Sequence, residues 1–164
     1  MRLKRFFIIF LLFLIGNILQ AAIVHIYPIF LFVNFNLIVS LICLIFFSAD
    51  IFIILPCAIF FAELFSSYFF GFNALLILFL FLVLYFLLKK LDFNIFLSVV
   101  IFLLIGQIFY FLAKLILELI FISSFGSLTF DHFLINGFIR YIFINLGISV
   151  LLYWLGKNHI NKGY

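Results

Sequence analysis

The chain has 164 residues, of which 71% are apolar and 30 are phenylalanine, while only 9% are charged. A soluble domain carries roughly 45 to 50% apolar residues, and no fold of this length has an interior able to hide such an excess from water. Lipid is therefore the solvent, and a soluble catalytic or nucleic-acid-binding domain is excluded; the nine Lys and Arg behind the net charge of +4 are spread along the chain and form no nucleic-acid-binding patch.

In chain order, apolar runs cover residues 6–26, 29–47, 51–68, 69–88, 95–122 and 133–155. Each approaches or exceeds the ~20 residues that a helix needs to cross a bilayer at about 1.5 Å per residue. Solid apolar blocks, rather than alternation, argue against a membrane β-barrel. The fold class expected is all-α: one polytopic bundle of about six transmembrane helices over residues 1–164, embedded among membrane lipids.

The first run follows Arg2, Lys4 and Arg5 and is interrupted only by Gly16, Asn17, Gln20 and His25. It has the length of a retained signal-anchor helix, not of a cleaved leader. The second and third runs are joined by only Ser48, Ala49 and Asp50. Asp50 is placed to cap the third helix, and Pro56 to kink it; a re-entrant pair or tilted hairpin is the alternative to two full spans. Cys43 and Cys57 lie inside these runs with no CxxC or Cys/His spacing, so they read as small buried residues, with no disulfide framework or metal site.

Lys89, Lys90 and Asp92 separate the fourth and fifth runs, and Lys157 and Lys162 close the chain. With six spans these segments share a side with the N-terminus. The remaining turns, near Tyr27 and Pro28, at 68–73 and at 123–132, contain no Lys or Arg. Because basic residues are retained on the cytoplasmic side, both termini are expected there. Tyr27, Tyr68, Tyr153 and Trp154 suit an interfacial aromatic belt, and His25, His132 and His159 read as solvated interfacial residues.

Four ionisable side chains fall inside the runs: Glu63, Lys114, Glu118 and Arg140. A charge at the bilayer centre costs about 2.5 to 3.5 kcal/mol on insertion scales, so each needs a partner or water. Counted from run ends at Tyr68, Ile122 and Phe133, Glu118 lies about 6 Å deep, Glu63 about 7.5 Å, Arg140 about 10 Å and Lys114 about 12 Å. They form a candidate intramembrane polar cluster in one leaflet. Lys114 and Glu118 share a helical face at i and i+4, and Glu118 and Arg140 are at matched depth on consecutive helices. The cluster reads as ion pairs that lock packing, as an outward-open polar pocket for a charged head group or partner helix, or as part of an ion path. Gln20, Asn73, Gln107, Asn136 and Asn145 are placed to hydrogen-bond between helices, while Asn17, Asn36, Ser40, Ser98, Asn145 and Ser149 are the few polar groups of the other leaflet. Gly106 and Gly147 permit close helix approach. No nucleophile with its base, phosphate loop or metal triad is present, so no enzyme activity or cofactor is expected.

From residue 6 to 112 the layout resembles the MreD family of bacterial rod-shape-determining membrane proteins. The resemblance rests on Leu19-Gln20 ending the first run, Pro28 opening the second, Glu63 late in the third, Phe70-Gly71 after it, and Lys89-Lys90 ending the fourth. Typical members have a glycine-rich stretch before an Asp; here Pro56, Ala58 and Ala62 precede Glu63. The resemblance implies a non-enzymatic scaffold of the cell-shape and peptidoglycan-elongation complex in the bacterial cytoplasmic membrane. Its partners would be a single-span MreC-like protein and other elongation-complex membrane proteins: the actin-like MreB, the glycosyltransferase RodA and a penicillin-binding transpeptidase. The alternative is the substrate-binding S component of an energy-coupling-factor vitamin transporter, also a six-helix protein. Against it, small residues spaced by four on the first helix have only Gly16 and Gln20 as their nearest equivalent, and the outer turns, apart from Ser123 to His132, are short for a lid.

Overall fold

The computed structural model describes residues 2–26, 33–64, 71–93, 95–122 and 130–160, and their side chains except at 2, 23–26, 118–122, 130–136 and 159–160. Tyr27, Pro28, Tyr68, Phe70 and Lys162, most of the 123–132 turn, and the side chains of His25, Glu118, His132, Asn136 and His159 therefore lie outside the described residues.

Among the described residues six α-helices follow one another: α1 Arg2–Ile26, α2 Phe35–Phe46, α3 Ile51–Leu64, α4 Phe72–Leu88, α5 Phe96–Ile122 and α6 Phe130–Ile160. This is an all-helical membrane protein. Its three long helices contain apolar stretches sufficient to cross a bilayer, at Leu3–Ala22, Phe96–Leu117 and Gly137–Asn158. α4 has 17 residues, at the lower limit for a crossing. Among the described residues α2 and α3 have 12 and 14 residues, about 18 and 21 Å, each less than the ~30 Å hydrocarbon layer. They meet at a 115° bend, the geometry of one broken span or of a re-entrant loop. By length alone the described helices supply three crossings, or four with the bent pair, where six full-length spans were expected.

The bend is at Phe47, whose backbone (φ −129°, ψ 38°) leaves the helical region while its N–H still bonds Cys43 O at 2.7 Å. A 3-10 turn, Ser48–Asp50, then runs straight into α3. Pro56, expected to kink the third helix, lies inside α3, which is assigned as one helix from Ile51 to Leu64. α2 starts at Phe35 rather than near residue 29, because Asn34 caps it, its side chain accepting the Leu37 N–H.

α2 is the hub and packs against α1, α3, α5 and α6. One apolar core draws on every helix, from Ile9 and Phe13 through Leu41, Phe61, Leu84 and Phe102 to Tyr153. Within lipid such packing rests on van der Waals contact and not on exclusion of water, so fit matters. Phe13 and Phe61 stack at 7°. At Gly106 an added Cβ would lie 2.7 Å from Leu41 Cδ2, so the missing side chain is what lets α5 close on α2. Gly147, expected to play the same part, has nothing within 4 Å. Tyr153 belongs to the core and not to an aromatic belt: it is buried and stacks on Phe46 at 5.5 Å. Trp154 beside it is exposed.

Candidate functional site

The first turn of a helix has N–H groups with no intrahelical acceptor, and hydrocarbon offers no water to take them. α2 begins half-buried within the bundle, where side chains of α1 and α6 and its own cap residue answer this need. The Asn34 N–H donates to Asn145 Oδ1 of α6 at 2.8 Å, and the Phe35 N–H to Gln20 Oε1 of α1 at 3.1 Å. The Leu37 N–H goes to Asn34 Oδ1 at 2.9 Å, and the Ile38 N–H to Asn34 O at 3.0 Å. Val33, buried, and Asn34, half-buried, are the described non-helical residues before α2, and protein side chains supply the partners that hydrocarbon would not.

The network continues along one face of α6, whose residues 141, 145 and 149 are spaced by four. Asn145 Nδ2 donates to Tyr141 O at 2.7 Å, the Ser149 hydroxyl to Asn145 O at 2.7 Å, and Gln107 Nε2 of α5 to Ser149 Oγ at 3.2 Å. On the far side of α2, Asn36 Nδ2 reaches Ala58 O of α3 at 3.1 Å. Gln107, Asn145 and Ser149 are 0% exposed. Three buried polar atoms, Asn36 Oδ1, Gln107 Oε1 and the Tyr141 hydroxyl, have no hydrogen-bond partner among the described residues. Carboxamides and a hydroxyl donate and accept hydrogen bonds without ionising near neutral pH, and here they join α1, α2, α5 and α6.

A second junction lies at the start of α4. Glu63, at the end of α3, accepts the Gly71 N–H on Oε2 at 3.2 Å and the Ala74 N–H on Oε1 at 2.7 Å. The carboxylate thereby fills the orphan donors of a helix N-terminus, where negative charge is favoured. Gly71 adopts φ +95°, a left-handed conformation that a residue with a Cβ resists. Asn73 Nδ2 adds a bond back to Ala62 O at 3.2 Å.

Of the expected cluster, Glu63 thus serves α4, Lys114 is half-buried on α5, and Arg140 is exposed on α6. The Glu118 side chain lies outside the described residues, and with it the proposed Glu118–Arg140 pair. The ion pair that is described joins Arg5 to Asp50 at 3.1 Å, with side chains 42% and 10% exposed. Asp50 therefore ties the α2–α3 tip to the start of α1, in place of the capping role expected of it. Cys43 and Cys57 are buried free thiols, and no three metal-ligating side chains converge among the described residues.

Comparison with protein families, with curated proteins and with solved structures finds no significant match. The chain's own geometry carries the functional argument. Four of the interhelical donors and acceptors named from sequence, Gln20, Asn73, Gln107 and Asn145, do bridge helices. Asn34 was missed, although an Asn three residues before an apolar Leu is a legible N-cap signal.

Proposed function

We propose that this chain is a non-enzymatic scaffold of the bacterial cell-shape and wall-elongation machinery, an MreD-like protein of the cytoplasmic membrane with both termini on the cytoplasmic side. The supporting observation is where polarity sits. Buried polar side chains are used inside the bundle, on one another and on the backbones of α1, α2, α3 and α6, while the outward surface is rich in Phe, Leu and Ile, with Phe52 87% exposed. A molecule so built meets other proteins through lipid-facing helix sides and helix ends. The residues behind the family resemblance add to this: Glu63 and Gly71 are hydrogen-bonded partners at the α3–α4 junction. Its partners in this reading are an MreC-like single-span protein and, through it, the remaining membrane components of the elongation complex.

Depletion in a rod-shaped host is expected to round the cells, and affinity capture of the full chain from detergent-solubilised membranes to recover a single-span coiled-coil protein. Cells that stay rod-shaped while vitamin uptake falls would replace this reading with that of a transporter S component.

A further inference from the structure

Four segments far apart in the chain meet at one end of the bundle. Arg5, near the start of α1, bonds Asp50 at the α2–α3 tip. Phe46, just before that tip, stacks on Tyr153 of α6 with ring centres 5.5 Å apart, and a Cβ on Gly156 would come within 3.0 Å of the same Phe46 ring. The Tyr153 hydroxyl reaches Phe93 O at 3.4 Å, in the turn after α4. At the end of α4 the Lys89 ammonium lies 4.3 Å from the centre of the Tyr85 ring, and Lys157 lies 5.9 Å from that of Tyr153.

These contacts gather Lys4, Arg5, Lys89, Lys90 and Lys157 around one end, with Asp50 and Asp92 as the acids beside them; among the described side chains, five cations against two carboxylates leave +3. Lys4, Lys89 and Lys90 are exposed. Lys114 and Arg140 lie some 25 Å further along α5 and α6 from this end. Directly beneath the rim the surface turns apolar, with Tyr85 and Phe86 exposed under Lys89, and Trp154 and Leu155 exposed beside Lys157. Ammonium groups held above aromatic and aliphatic side chains match the two parts of a phospholipid, a charged head over acyl chain, and long lysine stems let the charge rise to the head-group level.

We propose that this rim binds anionic phospholipid head groups in preference to zwitterionic ones, in the leaflet that it faces. Charge complementarity chooses the occupant. Each exposed lysine near an anionic leaflet strengthens the attraction several-fold at low salt, and screening removes the effect. The proposal is independent of the scaffold reading, since it concerns lipid alone.

Trp154 is the single tryptophan, 55% exposed and one helical turn before Lys157, so it reports the lipid beside α6. The purified full chain is placed in vesicles containing brominated phosphatidylglycerol or brominated phosphatidylcholine, equal in both leaflets so that orientation does not matter. Quenching of Trp154 is expected to show a preference for phosphatidylglycerol of about threefold or more at low salt, declining towards none at about 0.5 M salt. The triple variant Lys89→Gln, Lys90→Gln, Lys157→Gln is expected to lose the preference while quenching by brominated phosphatidylcholine stays as in the parent, which shows that the bundle is intact. If that variant does not fold, Lys90→Gln alone and the salt titration of the parent carry the test. Equal quenching by the two lipids at low salt, or a preference that neither salt nor lysine replacement alters, would overturn the proposal.

Discussion

Glu63→Ala removes both acceptors from the start of α4. The carboxylate takes the Gly71 and Ala74 N–H groups at 3.2 and 2.7 Å, and it is half-buried. Bonds to a charged group contribute about 1.5 to 3 kcal/mol each when buried, and loss of a helix cap costs about 0.5 to 2 kcal/mol. Partial exposure and the mutual dependence of the two bonds put the expected loss for Glu63→Ala at about 2 to 3 kcal/mol. Glu63→Gln keeps one amide oxygen and loses the charge that the helix N-terminus favours, so about 1 kcal/mol is expected. For a chain of this size, the Ala variant should melt at least about 5 °C below the parent. The assay is thermal unfolding of the full chain in mild detergent, followed by the fraction that remains monodisperse on size exclusion. Two results would refute the reasoning. One is an Ala variant as stable as the parent. The other is recovery of its stability on adding Lys114→Gln or Arg140→Gln, which would make Glu63 a counter-ion within the charged cluster instead of a cap.

Asn145→Leu deprives the Asn34 N–H of its acceptor and is expected to cost about 1 to 2 kcal/mol in the same melt, towards the upper end for polar contacts within membranes; Ser149→Ala should cost less. Gly106→Val drives a branched side chain into Leu41, which is itself wholly buried, and a loss of about 1 to 3 kcal/mol is expected. Gly147→Ala, with open space around it, should be neutral or stabilising by up to about 1 kcal/mol through helix propensity. For the inferred pair of Glu118 and Arg140, reversing either charge alone should lower the yield of folded protein, and reversing both should restore it; a double variant no better than the singles would dismiss the pair.

Much of this protein is legible from composition and spacing. Runs of apolar residues define six helices, because a chain in lipid must satisfy its own backbone and a helix does so locally. The run at 95–122 matches α5 almost to the residue. Spacing along single helices also identified Gln20, Gln107 and Asn145 as polar groups in want of partners, since an amide in hydrocarbon has few other options. The choice of partner was beyond such reasoning. That Glu63 caps α4 depends on a left-handed Gly71 bringing two N–H groups back to the end of α3. That Asp50 pairs with Arg5, 45 residues earlier in the chain, depends on a bend at Phe47, which carries no Pro or Gly to announce it. The number of crossings is not fixed by apolar length alone either, because an apolar run reads the same whether it faces lipid or is folded back against its neighbours; that α2 starts only at Phe35 depends on side chains of α6 and α1 that accept the Asn34 and Phe35 N–H groups. Sequence determined which residues belong in the membrane, a property each residue carries alone, while tertiary structure decided which of them meet, a property of pairs.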